Sequence, residues 1–245
     1  MKIIRSNIFQ RFPEIIFGFS SKIGFDRKAP FFFNMSFTVG DDLDIVKKNR
    51  SAFFTELGLS YQTVVYQKQI HGEDIKIVTR PGLAGESDAM ITSIHELGLA
   101  ISSADCPAIF IYDKHQKVIG AVHSGWRSTV KKILEKTLHK MSVEFESKPE
   151  NLFVYLSPHI SQKNYEVDES VASQFDERYS IPIGDKYLLD LGNANLDMLL
   201  SFGIPISQIE YPGLCSFENS ELFHSYRRDG QQSGRALGVI AMRNI

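Results

Sequence analysis

The sequence predicts an α/β fold, a sandwich of helices and mixed sheets held in a single domain over residues 1–245. Three observations lead there. Short apolar, β-rich runs recur along the chain and mix with segments of helical periodicity, without a strict strand–helix–strand beat. Hydrophobic residues make up 43% of the 245 positions, sufficient for a sizeable core. No internal repeat, low-complexity tract or Pro/Gly/Ser-rich linker divides the chain.

The elements follow in chain order. Pro30-Phe-Phe-Phe33 reads as a buried or interface segment. Asp41-Asp42-Leu43-Asp44 caps a helix over 42–57, in which Leu43, Val46, Phe53, Phe54 and Leu57 recur at helical spacing and Gly58 marks the end. Strands are expected at 64–67 and 75–79, a glycine-containing loop at 81–87, and another strand from Asp88 to Thr92. Segments 99–103, 108–112 and 118–122 are apolar and β-rich, and 113–116 between the last two is a turn. Ser124 is a candidate cap for a helix running to about Met141, with Val130, Ile133, Leu134, Thr137 and Leu138 as its buried stripe and Lys131, Lys132 and Lys136 in solvent. A strand over 151–156 ends at Ser157-Pro158-His159. Helices are expected over 168–178 and 193–203, and 239–242 is a last strand.

Composition narrows the function. A net charge of −2 and a near-neutral pI give no electrostatic reason to expect nucleic acid or an anionic membrane as partner. Two cysteines far apart, Cys106 and Cys215, do not make a disulfide framework. The amino terminus lacks the apolar core of a signal peptide, and no apolar run approaches the roughly 20 residues needed to cross a bilayer. The expectation is a cytoplasmic protein with reduced thiols.

Three short pieces carry the chemistry: Gln69-Ile-His71-Gly72, Ala104-Asp105-Cys106-Pro107 and Ala121-Val-His123-Ser-Gly-Trp-Arg127. Two imidazoles and a thiolate suit zinc, and three protein ligands leave its fourth position open for chemistry. A turn centred on Lys114-His115 would set Cys106 opposite His123 in the ladder, although Pro107 argues that the ladder is bulged or ends there. His71 must come from elsewhere in the fold. The bland alternative for a His or Cys in a buried strand is core packing; His123 departs from it because it opens a turn at a strand end, where α/β proteins place their sites.

The start of the helix after His123, with Ser124, Arg127, Ser128 and Thr129, is a candidate anion pocket; an ordinary capped helix with Arg127 in solvent is the alternative. Tyr226-Arg227-Arg228-Asp229-Gly230 and Ser233-Gly234-Arg235 form a second cationic segment. Its arginine forks suit phosphate or carboxylate, and an ion-pair network with Asp229 is the alternative. Trp126 either stacks on a planar ligand or packs in the core. Asp105 and Asp88 are candidate acid/base groups, with caps or salt bridges as the alternative. His159 is a candidate cleft residue, His224 is undecided, and His95, His115 and His139 read as surface. There is no Walker loop, Rossmann glycine pattern or Gly-x-Ser-x-Gly elbow.

Together these pieces resemble the laccase-domain, or polyphenol-oxidase-like, proteins, read as zinc-dependent purine nucleoside phosphorylases. The resemblance covers most of the chain: Asn34-Met-Ser36, Val39-Gly-Asp-Asp42, Lys48-Asn-Arg50, the three pieces above, Ser87-Asp88-Ala89, Asn164-Tyr-Glu-Val167, Asp190-Leu191, Cys215 and Phe223-His-Ser-Tyr-Arg-Arg-Asp229 with Gly234-Arg235. It implies a four-layer α/β/β/α fold, metal ligation by His71, Cys106 and His123, and small-molecule substrates. The implied reactions are phosphorolysis of adenosine, inosine and methylthioadenosine, and deamination of adenosine. On that reading Cys106, His123 and Asp105 are catalytic, and Arg127, Ser124, Arg227 and Arg228 bind substrate and phosphate. The family usually carries a Gly-Pro-rich segment before Tyr-Glu-Val; here it reads Ser157-Pro158-His159-Ile-Ser-Gln-Lys-Asn164.

Phosphorolysis needs an anion cradle beside a nucleoside and a way to neutralise the departing purine, through an oxocarbenium-like transition state. Deamination needs an activated water and a proton shuttle. Three other classes fit parts of the sequence. A copper-dependent phenol oxidase would need many more histidines at one site than seven scattered ones supply, although copper itself is a possible occupant of the site. A cysteine hydrolase or amidase, acting on cell-wall precursors with Cys106 as nucleophile and His123 as base, uses the same residues. A binding role without turnover is the fourth.

Overall fold

A computed structural model describes residues 1–244. The strands are β1 (Ile3–Ile4), β2 (Ile15–Ser20), β3 (Val64–Lys68), β4 (Ile75–Ile77), β5 (Gly82–Glu86), β6 (Ala89–Thr92), β7 (Gly98–Ser103), β8 (Ala108–Asp113), β9 (Val118–His123), β10 (Leu152–Leu156), β11 (Glu166–Val167), β12 (Ser180–Ile183), β13 (Lys186–Leu189), β14 (Ile209–Glu210) and β15 (Ala236–Met242). The helices are α1 (Leu43–Glu56), α2 (Trp126–Val130), α3 (Ile133–Phe145), α4 (Glu169–Ala172), α5 (Leu191–Ser201) and α6 (Tyr226–Asp229). None is long and apolar enough to cross a membrane, among the described residues.

Two mixed sheets, ordered β1-β2-β15-β7-β3-β5 and β14-β10-β8-β9-β6-β4, stack face to face. Phe17, Val65, Leu99, Ile101 and Ile240 of the first meet Phe110, Tyr112, Ile119 and Tyr155 of the second. The Phe17 and Phe110 rings pack edge-on at 5.1 Å. Gly238 admits that ring, since a Cβ there would stand 2.4 Å from Phe110 Cζ. On the outer face of the first sheet, Phe53 and Phe54 of α1 cover Val64, Ala100, Leu237 and Val239. On the outer face of the second, α3 and α5 cover Ile109, Ile111, Val122 and Val154. The order is therefore α/β/β/α, as expected. Central strands β2, β8, β9 and β15 are buried at every residue because both faces are covered, and so they read as continuous apolar runs rather than alternations. A small sheet, β11-β13-β12, lies apart from these two.

Helix α1 has the expected cap: Asp42 accepts from the backbone N–H groups of Asp44 and Ile45. Leu43, placed in its apolar stripe from sequence, is 54% exposed instead. The 81–87 loop contains strand β5, parallel to β3; its exposed, glycine-rich sequence carries no apolar pattern to announce a strand. The helix expected over 168–178 is a single turn, α4, followed by an irregular stretch and a 3₁₀ turn at Glu177–Tyr179. The helix expected from Ser124 to Met141 is two helices, broken at Lys131-Lys132, where Lys132 takes a left-handed φ of 58°. The apolar stripe runs through the break, and no glycine or proline marks it.

The ladder register also differs. His123 pairs with Ala108, not Cys106. The cause lies in the turn: Asp113 Oδ1 accepts from the N–H groups of His115 and Gln116 at 2.8 and 3.0 Å. These bonds build a four-residue turn in place of a tight one, with Lys117 at a φ of 54°. Cys106 thus lies two residues beyond the ladder, after Asp105 with its left-handed φ of 82°.

Candidate metal centre

Cys106 and His123 meet even though the ladder does not pair them. The loop before β8 folds back over the end of β9, held by Ser124 N–H donating to the Pro107 carbonyl at 2.8 Å. His71 arrives from the other sheet, on the loop that leaves β3, with a left-handed φ of 55°. One ligand atom each from His71, Cys106 and His123 lie within 4.8 Å of one another. The expected triad is thereby brought to one point, and among the described residues it is the one such group of His, Cys, Asp or Glu side chains.

Asp88 builds this point. Its fully buried carboxylate accepts from the backbone N–H groups of Ile70, His71 and Gly72 at 3.1, 3.1 and 2.6 Å, and contacts His123 Nδ1 at 2.8 Å. The first three bonds fix the loop that carries His71. The fourth places a proton on His123 Nδ1 and leaves Nε2 as the ligand atom. Burial resists a charged His123 ring, but Asp88 and Cys106 outweigh it and push its pKa up to about 9. Burial and the neighbouring His123 shift His71 the other way, below its ordinary value.

The residues fit a metal ion. His71 Nδ1 is buried and has no hydrogen-bond partner. A Cβ built on Gly125 would stand 2.6 Å from that nitrogen and 3.0 Å from Cys106 Sγ. The glycine therefore keeps open the space onto which two of the ligand atoms face. Two imidazole nitrogens and a thiolate are a donor set suited to zinc, with one coordination position left over.

The cationic residues divide. Arg127 is exposed, with its guanidinium 4.2 Å from the Trp126 ring. Arg227 is exposed, lies over the Tyr165 ring at 5.1 Å and donates from Nη1 to the Glu166 carbonyl. Both act on the Tyr165 hydroxyl, together with Cys106 and Asp105; burial and the two negative groups hold that phenol above its ordinary pKa. Arg228 is otherwise engaged: Nε and Nη2 each meet Asp229 at 2.8 Å, and its Nη groups donate to the carbonyls of Ser216, Phe217 and Phe223. The ion-pair alternative holds for that residue.

Ser124 does not cap the helix after it; Gly125 occupies the cap position with no side-chain bond. The Ser124 hydroxyl is fully buried and donates to Asn195 Oδ1 at 2.7 Å, tying β9 to α5. Ser128 and Thr129 are buried as well, so the expected anion pocket keeps only Arg127 on its surface. Asp105 accepts from Ser216 Oγ and from the Arg227 N–H, both at 2.6 Å, which joins the Cys106 loop to α6. His159 is buried, meets the Ser157 carbonyl through Nδ1 and stacks on Tyr211. His224 is buried against the Phe33 carbonyl, and burial drives its pKa down to about 3.

Two residues at this centre lie outside the site read from sequence, which has Arg235 only as part of the second cationic segment. Arg235 lies over Tyr226 at 5.2 Å and is held by Nη1 bonds to the carbonyls of Ser233 and Gly234, while its charge faces Asp105 and Cys106. Tyr165 is the other. The Gly234-Arg235 and Asn164-Tyr165 fragments were visible, but nothing local aims either side chain at Cys106.

The family model described as multi-copper polyphenol oxidoreductase laccase matches residues 17–243. A purine nucleoside phosphorylase of Bacteroides thetaiotaomicron is 32% identical over 226 residues, covering 85% of this chain and 84% of the relative. Purine nucleoside phosphorylase YlmD of Bacillus subtilis is 31% identical over 252 residues, covering 94% and 89%. The crystal structure of YlmD from Geobacillus stearothermophilus superposes with a TM-score of 0.93 at 28% identity, covering 100% of this chain and 97% of that one. The chain therefore belongs to the multi-copper polyphenol oxidoreductase laccase family, whose YlmD and YfiH members share its fold.

Proposed function

We propose that this protein is a purine nucleoside phosphorylase acting on adenosine, inosine and methylthioadenosine, with adenosine deaminase activity, and that His71, Cys106 and His123 hold one zinc ion. The carrying observation is the convergence of those three side chains within 4.8 Å, in a surround that includes Arg127, Arg227 and Arg235. The names of the relatives support the same reading. The family description speaks of several coppers; one three-ligand group among the described residues supports a single ion.

Zinc bound there supplies a Lewis acid and lowers the pKa of water. The chain's own residues do the rest. Arg127, Arg227 and the free edge of Arg235 attract phosphate and hold its oxygens as forks. In phosphorolysis a phosphate oxygen bonds to the ribose anomeric carbon, the bond from that carbon to the purine nitrogen breaks, and the base leaves with a proton. Trp126 and Tyr165 offer faces on which a purine can stack. Asp88 orients His123, and Asp105, with both oxygens occupied, positions Cys106 and Arg227 rather than moving a proton.

The test is inosine with and without inorganic phosphate, followed by release of hypoxanthine and ribose 1-phosphate, alongside metal analysis. The expected result is about one zinc per chain, turnover that requires phosphate, and loss of turnover in Cys106→Ala. Hydrolysis at the same rate without phosphate would overturn phosphorolysis. Alkylation of Cys106 in metal-replete protein would favour the cysteine-hydrolase alternative, because a coordinated thiolate is protected.

A further inference from the structure

The Lys48-Asn-Arg50 motif takes no part in the metal centre. Arg50 sits on α1 and is only 7% exposed. Its Nε donates to the Met35 carbonyl at 2.6 Å. Among the described residues its two Nη groups reach no carboxylate or carbonyl, and the Tyr61 and Tyr66 hydroxyls beside them are their nearest polar neighbours. The groups that face its charge are Tyr61 and Tyr66.

Those tyrosines and Phe37 frame the cation. Its Cζ lies 4.3 Å from the Phe37 ring centre and 4.7 Å from that of Tyr66, and the Tyr61 ring stands 5.5 Å from Tyr66. Tyr66 Oη is buried and has no hydrogen-bond partner. Tyr61 is 37% exposed and Phe37 partly exposed, so the frame reaches the surface on one side. Aromatic faces compensate part of the charge, but they accept none of the Nη–H bonds in the guanidinium plane.

A guanidinium without a counter-charge, whose Nη–H groups meet only phenol oxygens that keep their own protons to donate, is a donor array for an oxyanion. Donors both in and out of one plane suit a tetrahedral phosphate better than a flat carboxylate. We propose that Arg50, Tyr66 and Tyr61 form a second anion site that takes a phosphate group, either inorganic phosphate or the phosphate of a small monoester. The site shares no residue with the metal centre, and its test does not depend on the proposed reaction.

The test is calorimetric titration of the zinc-loaded protein with inorganic phosphate and, separately, with ribose 5-phosphate. The expected result is one more phosphate site per chain in the natural protein than in Arg50→Gln, whatever the metal centre binds. Arg235→Gln should keep this site. Tyr66→Phe, which removes only the hydroxyl, should weaken it about fivefold to tenfold, the worth of one hydrogen bond, with an unchanged melting temperature. Saturation by ribose 5-phosphate assigns the site to monoesters, and saturation by inorganic phosphate alone assigns it to the free ion. The same number of sites and the same affinity in Arg50→Gln, or in Tyr66→Phe should Arg50→Gln fail to fold, would overturn the proposal.

Discussion

Replacing Gly125 by alanine sets two opposed effects against each other. The backbone there has φ −67° and ψ 167°, extended values that any residue adopts. Alanine would restrict the unfolded chain and on that account stabilise the protein by roughly 0.4–1 kcal/mol. The added methyl, however, would lie 2.6 Å from His71 Nδ1, 3.1 Å from His71 Cε1 and 3.0 Å from Cys106 Sγ. Ordinary contacts are about 3.5–4 Å, so these side chains must retreat by about 0.4–1.4 Å, His71 furthest. Overpacking of that kind costs about 1–3 kcal/mol. The metal-free fold should therefore lose at most about 2.6 kcal/mol, a drop of roughly 5–10 °C in a domain of this size. Metal binding should suffer more, because ligand distances tolerate only about 0.2 Å. Zinc affinity should fall at least about 100-fold, ~2.7 kcal/mol, and phosphorolysis with it. A chelator-competition titration and a melting curve of the metal-free protein measure the two effects separately. Natural zinc affinity in a folded Gly125→Ala protein would refute the placement of the ion between His71, Cys106 and His123.

Asp88→Asn keeps one acceptor oxygen. In either amide orientation two of the four N–H groups now met by the carboxylate lose their acceptor. At about 1–3 kcal/mol each, stability from denaturant unfolding should fall by roughly 2–6 kcal/mol, and zinc affinity by about 10–100-fold. Arg228→Ala should destabilise by about 2–4 kcal/mol in urea through its lost bonds to Asp229 and three carbonyls. Arg127→Ala, on an exposed side chain, should leave stability within about 0.5 kcal/mol and raise the KM for phosphate. Glu14 gives a pH signature away from the centre. Burial opposes its charge, but hydrogen bonds from Lys117 and Tyr112 prevail and hold its pKa at about 2, below the ordinary 4.5. Its contribution is full above pH 4.5 and is lost as pH falls towards 2. Urea midpoints measured across that window should fall less steeply for Glu14→Gln.

Local chemistry is what the sequence displays well. Asp42 can cap α1 wherever the helix docks, because its carboxylate reaches N–H groups two and three residues on. Continuous apolar runs mark β7, β8 and β9 because both faces of those strands are covered. Where a segment's state depends on its neighbours, the pattern fails. Strand β5 exists because β3 offers it an edge, and the α2–α3 break interrupts an apolar stripe that looks unbroken in sequence. The four-layer order itself was an expectation from family resemblance rather than from periodicity.

The same division runs through the centre. Residue types, and the position of His123 at a strand end, determined from sequence alone which side chains could ligate a metal. Tertiary structure decided how they meet. His71 and Cys106 come from two separate loops that each cross from the first sheet to the second, and the bond from Asp113 to its own turn moved the ladder by two residues, so that a backbone fold-back rather than strand pairing brings Cys106 to His123. It also decided which arginines stay free: Arg228 meets three carbonyls that only the folded chain gathers, while Arg127 meets none. A hydrogen bond is satisfied by whatever partner lies nearest in space, and nearness between distant segments is fixed by the packing of the whole core.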